Sequence, residues 1–321
     1  MMKFLFILII SFYFNQIQAQ SKSASYNSAY IVLESMLEGK DSLNFKKALF
    51  TVENAWYDNK LDFFTFENDI KKIASSCSLM ISKKRFERYK TAKNWAIFMW
   101  ITQKTPENES KNCEYDFKDF LGESSFSNTF VTRLIKDKKG NCLSLPLLYK
   151  CVAQELKAEA YLTLGPSHAW IRHIDEKGEW LNVELTSAQF PSDGIMMTEL
   201  GIKTQAIKTG AYFKPLSEKE TIAVLMTLLA NGYENKFGLD DFTDRCADLS
   251  IKYYDANVIA IMLKSNRVAK LANNDTMAFE NKIVLHKMYL TLQNKLNDIG
   301  GESINPDEYT KWVNSMKTRK E

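Results

Sequence analysis

Cys142, His168 and Glu184 stand in that order within one stretch, Gly140 to Glu184. Their types suit a thiol nucleophile, its base and the group that orients the base. Gly140-Asn141 is a turn signal, and Cys142-Leu143-Ser144 opens an apolar-periodic run through Leu156 that predicts a helix. Pro146 fits such a helix only in its first turn, where its missing N–H would have had no partner. Cys142 is therefore expected at or just before the helix N-terminus, where the partial positive charge favours thiolate, the nucleophilic form. The competing reading of Cys142 is a small buried residue that starts a helix. Cys151, about 13 Å further along that helix and half a turn round it, faces away. It is expected to be a buried, inert thiol, as is Cys246.

Three strands are predicted after the helix: Ala160 to Leu164, His168 to Ile174 and Trp180 to Leu185. Gly165-Pro166-Ser167 is the first turn, and Asp175 to Gly178 the second, with Gly178 suited to positive φ. A three-residue second loop would set His168 directly opposite Glu184. Alternation then places His168, Trp170, Arg172, Trp180, Asn182 and Glu184 on one face, and Ala169, Ile171, Val183 and Leu185 on the other. A histidine and a carboxylate so opposed can hydrogen-bond, fixing the tautomer and stabilising imidazolium. His173 points away and is expected at the surface, and His286, alone in a far helix, is expected in packing or at the surface.

At these residues the chain resembles the transglutaminase-like superfamily. GNC at 140 to 142, SHAW at 167 to 170 and WLNVELT at 180 to 186 match its order and spacing of cysteine, histidine and acid. The likeness spans about Asn128 to Phe190 and is closest to bacterial members with helical, tetratricopeptide-like flanks. It implies an α+β fold whose core is a cysteine-bearing helix packed on a small antiparallel sheet. It also implies catalysis by Cys142, His168 and Glu184, with Ser167 and Trp170 in supporting places. The family's usual aspartate is Glu184 here, one methylene longer. Asn182, two residues earlier on the same face, is the alternative for orienting the ring. The Cys142 backbone N–H is the natural first oxyanion donor, and the sequence names no second.

Elements around the core follow from periodicity. Helices are expected over Ala29 to Leu37, Leu43 to Trp56, Glu67 to Cys77, Lys84 to Gln103 and Phe126 to Ile135. Thr105 to Asn112 and Ala188 to Gly194 read as loops. From about Leu216 to Lys317 the chain is helical again, with Leu225 to Tyr233 and Phe242 to Tyr254 as an antiparallel pair. Asn257 to Leu271 and Asn281 to Leu296 follow. One degenerate tetratricopeptide-like unit falls among these helices. Residues 1–19 resemble a signal peptide: Lys3, then apolar Phe4 to Phe14, then Ile17-Gln18-Ala19 before a cleavage point. The expected organisation is this leader, a helical region over 20–125, the transglutaminase-like core over 126–214 and a helical region over 215–321.

The 321 residues carry a formal net charge of +3, with acids and bases interspersed. That balance gives no footprint for nucleic acid, and Phe4 to Phe14 is short of the roughly twenty residues a membrane span needs. The expected product is therefore an exported protein, periplasmic or extracellular, without an integral membrane segment. Five cysteines are too few for a disulfide scaffold and, being odd in number, leave at least one thiol unpaired within the chain. Cys77 and Cys113 could close one bridge. Three histidines without metal-ligand spacing imply no metal, and nothing implies a cofactor. The functional expectation is a thiol enzyme attacking an amide or peptide bond, hydrolysis before transfer. The alternative is a non-catalytic module that holds a peptide or protein partner. In a third reading Cys142 is disulfide-bonded and the trio is vestigial.

Overall fold

The computed structural model describes residues 23–301 and 306–320. The expected leader lies outside them. The architecture is mixed and helix-rich, with two small sheets. Helices α1 (23–37), α2 (Phe45–Trp56), α3 (Phe63–Lys84) and α4 (Ala92–Thr102) come first. Strand β1 (Glu114–Tyr115), helix α5 (Val131–Asp137) and strand β2 (Lys139–Gly140) lead to the central helix α6 (Ser144–Leu156). Strands β3 (Tyr161–Gly165), β4 (His168–Ile174) and β5 (Trp180–Val183) follow. The chain then continues through α7 (Asp193–Glu199), α8 (Thr204–Thr209), α9 (Glu218–Phe237), α10 (Asp241–Tyr253), α11 (Val258–Ala272), α12 (Phe279–Ile299) and α13 (Pro306–Lys320).

Caps set several boundaries. Asn44 accepts from the Lys47 N–H at 3.0 Å, Asp62 from the Thr65 N–H at 2.8 Å, and Ser217 and Glu220 form a reciprocal capping box. The helix expected over Lys84 to Gln103 is shorter, because Arg85 turns left-handed (φ 56°) and closes α3. Glu176 then takes both the N–H and the hydroxyl of Thr91, so α4 starts only at Ala92. The parallel pair β1–β2, too short to carry a period, was not expected.

Helix α6 is the hub. It packs on α2, α3, α4, α5, β3 and β4, and Leu145, Leu147, Leu148, Cys151 and Val152 are buried along it. One continuous apolar core runs from Tyr26 to Met316. Burial takes the polar residues of β4 with it. His173, expected at the surface, is 3% exposed, because the sheet is covered on both faces, and its Nδ1 lies 2.9 Å from the Ile174 carbonyl. All five cysteines are buried and none is in a disulfide, so Cys77 and Cys113 form no bridge and Cys142 is not disulfide-bonded. No described helix is long and apolar enough to cross a membrane.

The three-stranded sheet has the order β3-β4-β5, antiparallel throughout. Its second hairpin differs from the expected register. Ile171 pairs with Val183 and Ile174 with Trp180, across a connection in which Asp175 accepts from the Lys177 and Glu179 N–H groups. Glu184 is therefore not directly opposite His168. The difference is two residues, an even number, so both side chains stay on the expected face.

Candidate active site

The turn that presents Cys142 is fixed by its own side chains. Asn141 Oδ1 accepts from the N–H groups of Leu143 and Ser144, both at 3.0 Å, and its Nδ2 donates to the Phe120 carbonyl at 3.1 Å. Ser144 Oγ accepts from the Asn141 N–H at 2.9 Å and donates to the Asn128 carbonyl at 3.2 Å. Only glycine fits at 140, since a Cβ there would stand 2.3 Å from Ser144 Oγ. Cys142 lands just ahead of α6, as expected, 9% exposed, and its backbone N–H enters no backbone hydrogen bond among the described residues.

His168 opens β4, directly after the turn in which Ser167 adopts φ 55°. Its Nε2 lies 2.7 Å from Glu184 Oε2, and Glu184 Oε1 accepts from the Thr186 N–H at 2.7 Å. The longer glutamate spans the diagonal that the register imposes. Nδ1, the opposite ring nitrogen, lies 3.3 Å from the Tyr309 hydroxyl, which donates to Cys142 Sγ at 3.3 Å. The phenol thus bridges the imidazole and the thiol.

Burial alone would push His168 down, but the Glu184 carboxylate and the Cys142 sulfur outweigh it, and the pKa rises from 6.5 to about 10. For Glu184 burial pushes upward, yet the His168 cation and the Thr186 hydrogen bonds hold the carboxyl below its ordinary range. The two form a buried imidazolium–carboxylate pair. Among the other thiols, burial pushes Cys77 up to about 12 and Cys151 and Cys246 well above the ordinary value.

The remaining expected residues fall behind this line. Trp170 is fully buried, near-parallel to the His168 ring at 6.1 Å between centroids, and donates from Nε1 to Asn182 Oδ1 at 3.0 Å. Asn182 spends its amide on the Pro191 carbonyl and on Asp193. It does not bond the His168 ring, which Glu184 contacts instead. Ser167 contributes its carbonyl, 3.9 Å from Cys142 Sγ. His286 is exposed on α12.

Three aromatic residues complete the site and were missed. Tyr309 and Trp312 project from α13, with Trp312 edge-on to His168 at 4.6 Å and donating to Glu199 at 3.1 Å. Tyr115 comes from β1. The apolar spacing Tyr309, Trp312, Val313, Met316 in an otherwise polar tail was the available signal for α13. Nothing comparable marked Tyr115.

A cavity of about 400 Å³ opens on Cys142 and His168 from the side of α9 and α11. Leu164, Ile259 and Met262 make its walls apolar, and Asn231, Glu234 and Asn266 add polar groups. Among the described residues no group of three His, Cys, Asp or Glu is placed to hold a metal. The chain matches no family model, no curated protein and no solved structure.

Proposed function

We propose that the protein is an exported thiol enzyme of the transglutaminase-like kind, acting on an amide or peptide bond and handing the acyl group to water in preference to an amine. The observation that carries this reading is the use of the two ring nitrogens. Glu184 takes Nε2, and Nδ1 faces the sulfur through the Tyr309 hydroxyl. A ring so held keeps one tautomer and carries the proton that the sulfur gives up.

In this reading Cys142 Sγ attacks the carbonyl carbon and forms a C–S bond, while the carbonyl π pair moves onto oxygen. The tetrahedral intermediate collapses and expels the amine, which leaves with the proton from His168 Nδ1. Water then attacks the thioester with His168 again as base, releasing the acid and restoring the thiol. The cavity on α9 and α11 supplies the route to the sulfur and an apolar surface for the acyl portion. No cofactor or metal enters this chemistry.

One observation favours a second reading, a non-catalytic module that binds a peptide in the same cavity. The Tyr309 hydroxyl lies between Sγ and Nδ1, and the His168 side chain is fully buried with Tyr309 and Trp312 of α13 against it.

Iodoacetamide alkylation, followed peptide by peptide across pH in wild type and His168→Ala, separates the two. The enzyme reading expects Cys142 to react at neutral pH far faster than Cys151 or Cys246, and to slow by on the order of tenfold or more without His168. A Cys142 as inert as Cys151, or indifferent to His168, would sink it.

A further inference from the structure

The least explained polar atom near the nucleophile is the Tyr115 hydroxyl. Tyr115 is 3% exposed, and its hydroxyl has no hydrogen-bond partner of good geometry among the described residues. A buried donor left without an acceptor costs free energy, so its retention needs a reason. Its position supplies one. Tyr115 sits on β1 opposite Gly140 of β2, two residues ahead of the nucleophile, with its ring braced edge-on against Phe117 at 4.8 Å. The Cys142 thiol, the Tyr309 phenol and the Glu184 carboxylate are its charged and polar neighbours. A second donor beside the same sulfur, the Cys142 backbone N–H, also enters no backbone hydrogen bond among the described residues.

We propose that Tyr115 is a catalytic residue whose hydroxyl, with the Cys142 N–H, receives the oxyanion that forms when the thiol attacks a carbonyl. The assignment rests on the thiol-enzyme reading above. When the C–S bond forms, the carbonyl π pair becomes a negative charge on oxygen within a bond length or two of Sγ. Two donors preset beside the sulfur, neither of them held in a hydrogen bond of good geometry among the described residues, turn onto that charge and stabilise it at little cost. Burial first, and then the charges that Cys142 and Glu184 can carry, hold the Tyr115 phenol well above its ordinary pKa, so the proton stays available for donation.

The test compares two reactions of one sulfur in wild type and Tyr115→Phe. Acylation by p-nitrophenyl acetate, read as the nitrophenolate burst, passes through an oxyanion. Alkylation by iodoacetamide displaces iodide at a saturated carbon and does not. The expected result is an acylation rate lower by about 10²–10³-fold, the usual loss for one oxyanion donor, with the alkylation rate of Cys142 unchanged. Because the hydroxyl has no hydrogen bond of good geometry to lose, the variant should unfold at a urea concentration close to that of the wild type, with Cys151 still resistant to alkylation. Unchanged acylation would overturn the proposal. So would acylation and alkylation falling together, which would place Tyr115 in thiol activation or in packing. A wild type alkylated at Cys142 yet acylated no faster than Cys142→Ala would refute the thiol-enzyme reading itself, and the oxyanion site with it.

Discussion

Replacing Glu184 by glutamine removes one charge and almost no volume from a site that is closed to water. Glu184 is 2% exposed and His168 is 4% exposed. In the wild type the carboxylate, with the sulfur, offsets the burial that would otherwise discharge the ring, and His168 holds its proton to about pH 10. Without the carboxylate, burial remains and the ring falls toward or below the ordinary 6.5. A fall from about 10 to 6.5, at 1.36 kcal/mol per pH unit, is worth about 5 kcal/mol as an upper bound, since the sulfur keeps part of the effect. Breaking a buried pair by removing one partner costs about 3–5 kcal/mol of stability, which agrees. The pH window follows from the signs. His168 is raised, so its contribution is full below about 6.5 and disappears as the pH climbs toward 10. Glu184 is depressed, so its contribution is full above its ordinary value of 4.5 and disappears as the pH falls. Wild type and Glu184→Gln should therefore differ most between about pH 4.5 and 6.5 in urea unfolding, and converge above that range. Imidazole NMR gives the direct readout, because the chain has three histidines and two serve as internal references. A ring in Glu184→Gln that still titrates near 10, or a wild-type ring near 6.5, would refute the argument that Glu184 holds the proton on His168.

Other substitutions test the scaffold around the site. Trp312→Ala removes the ring that covers His168 and the bond to Glu199, and should cost about 3–5 kcal/mol of α13 docking; amide exchange across 306–320 should accelerate, and unchanged protection would show that the helix docks without it. Gly140→Ala forces a Cβ to 2.3 Å from Ser144 Oγ and 3.1 Å from Leu134 Cδ1, and should lower stability by about 1–3 kcal/mol; an unshifted urea midpoint would mean that the turn gives way freely. Glu53 is fully buried on α2, accepts from the N–H groups of Val131 and Thr132 at the start of α5, and is pushed by burial from 4.5 up to about 7. The folded state keeps its proton where the unfolded chain has lost it, so stability should fall by about 3 kcal/mol as pH rises from 4.5 to 7, at 1.36 kcal/mol per pH unit. Glu53→Gln should remove that slope, and equal slopes in the two proteins would refute it.

What the sequence determined by itself was local. The apolar period after Gly140-Asn141 placed Cys142 at a helix start, and strand alternation put His168 and Glu184 on one face. Those inferences depend on backbone periods of 3.6 and 2, which neighbours in sequence dictate. They survived even a two-residue difference in register, because parity alone decides the face. Tertiary structure decided what periodicity could not reach. The burial of His173 came from a sheet covered on both sides, and the choice between Glu184 and Asn182 came from where Pro191 and Asp193 fall in space. The aromatic neighbours of the thiol came from furthest away. Tyr115 and Tyr309 lie 27 and 167 positions from Cys142, on a two-residue strand and on the last helix. No local pattern encodes such distances, because side chains that far apart meet only when the shared apolar core brings β1 and α13 against the start of α6.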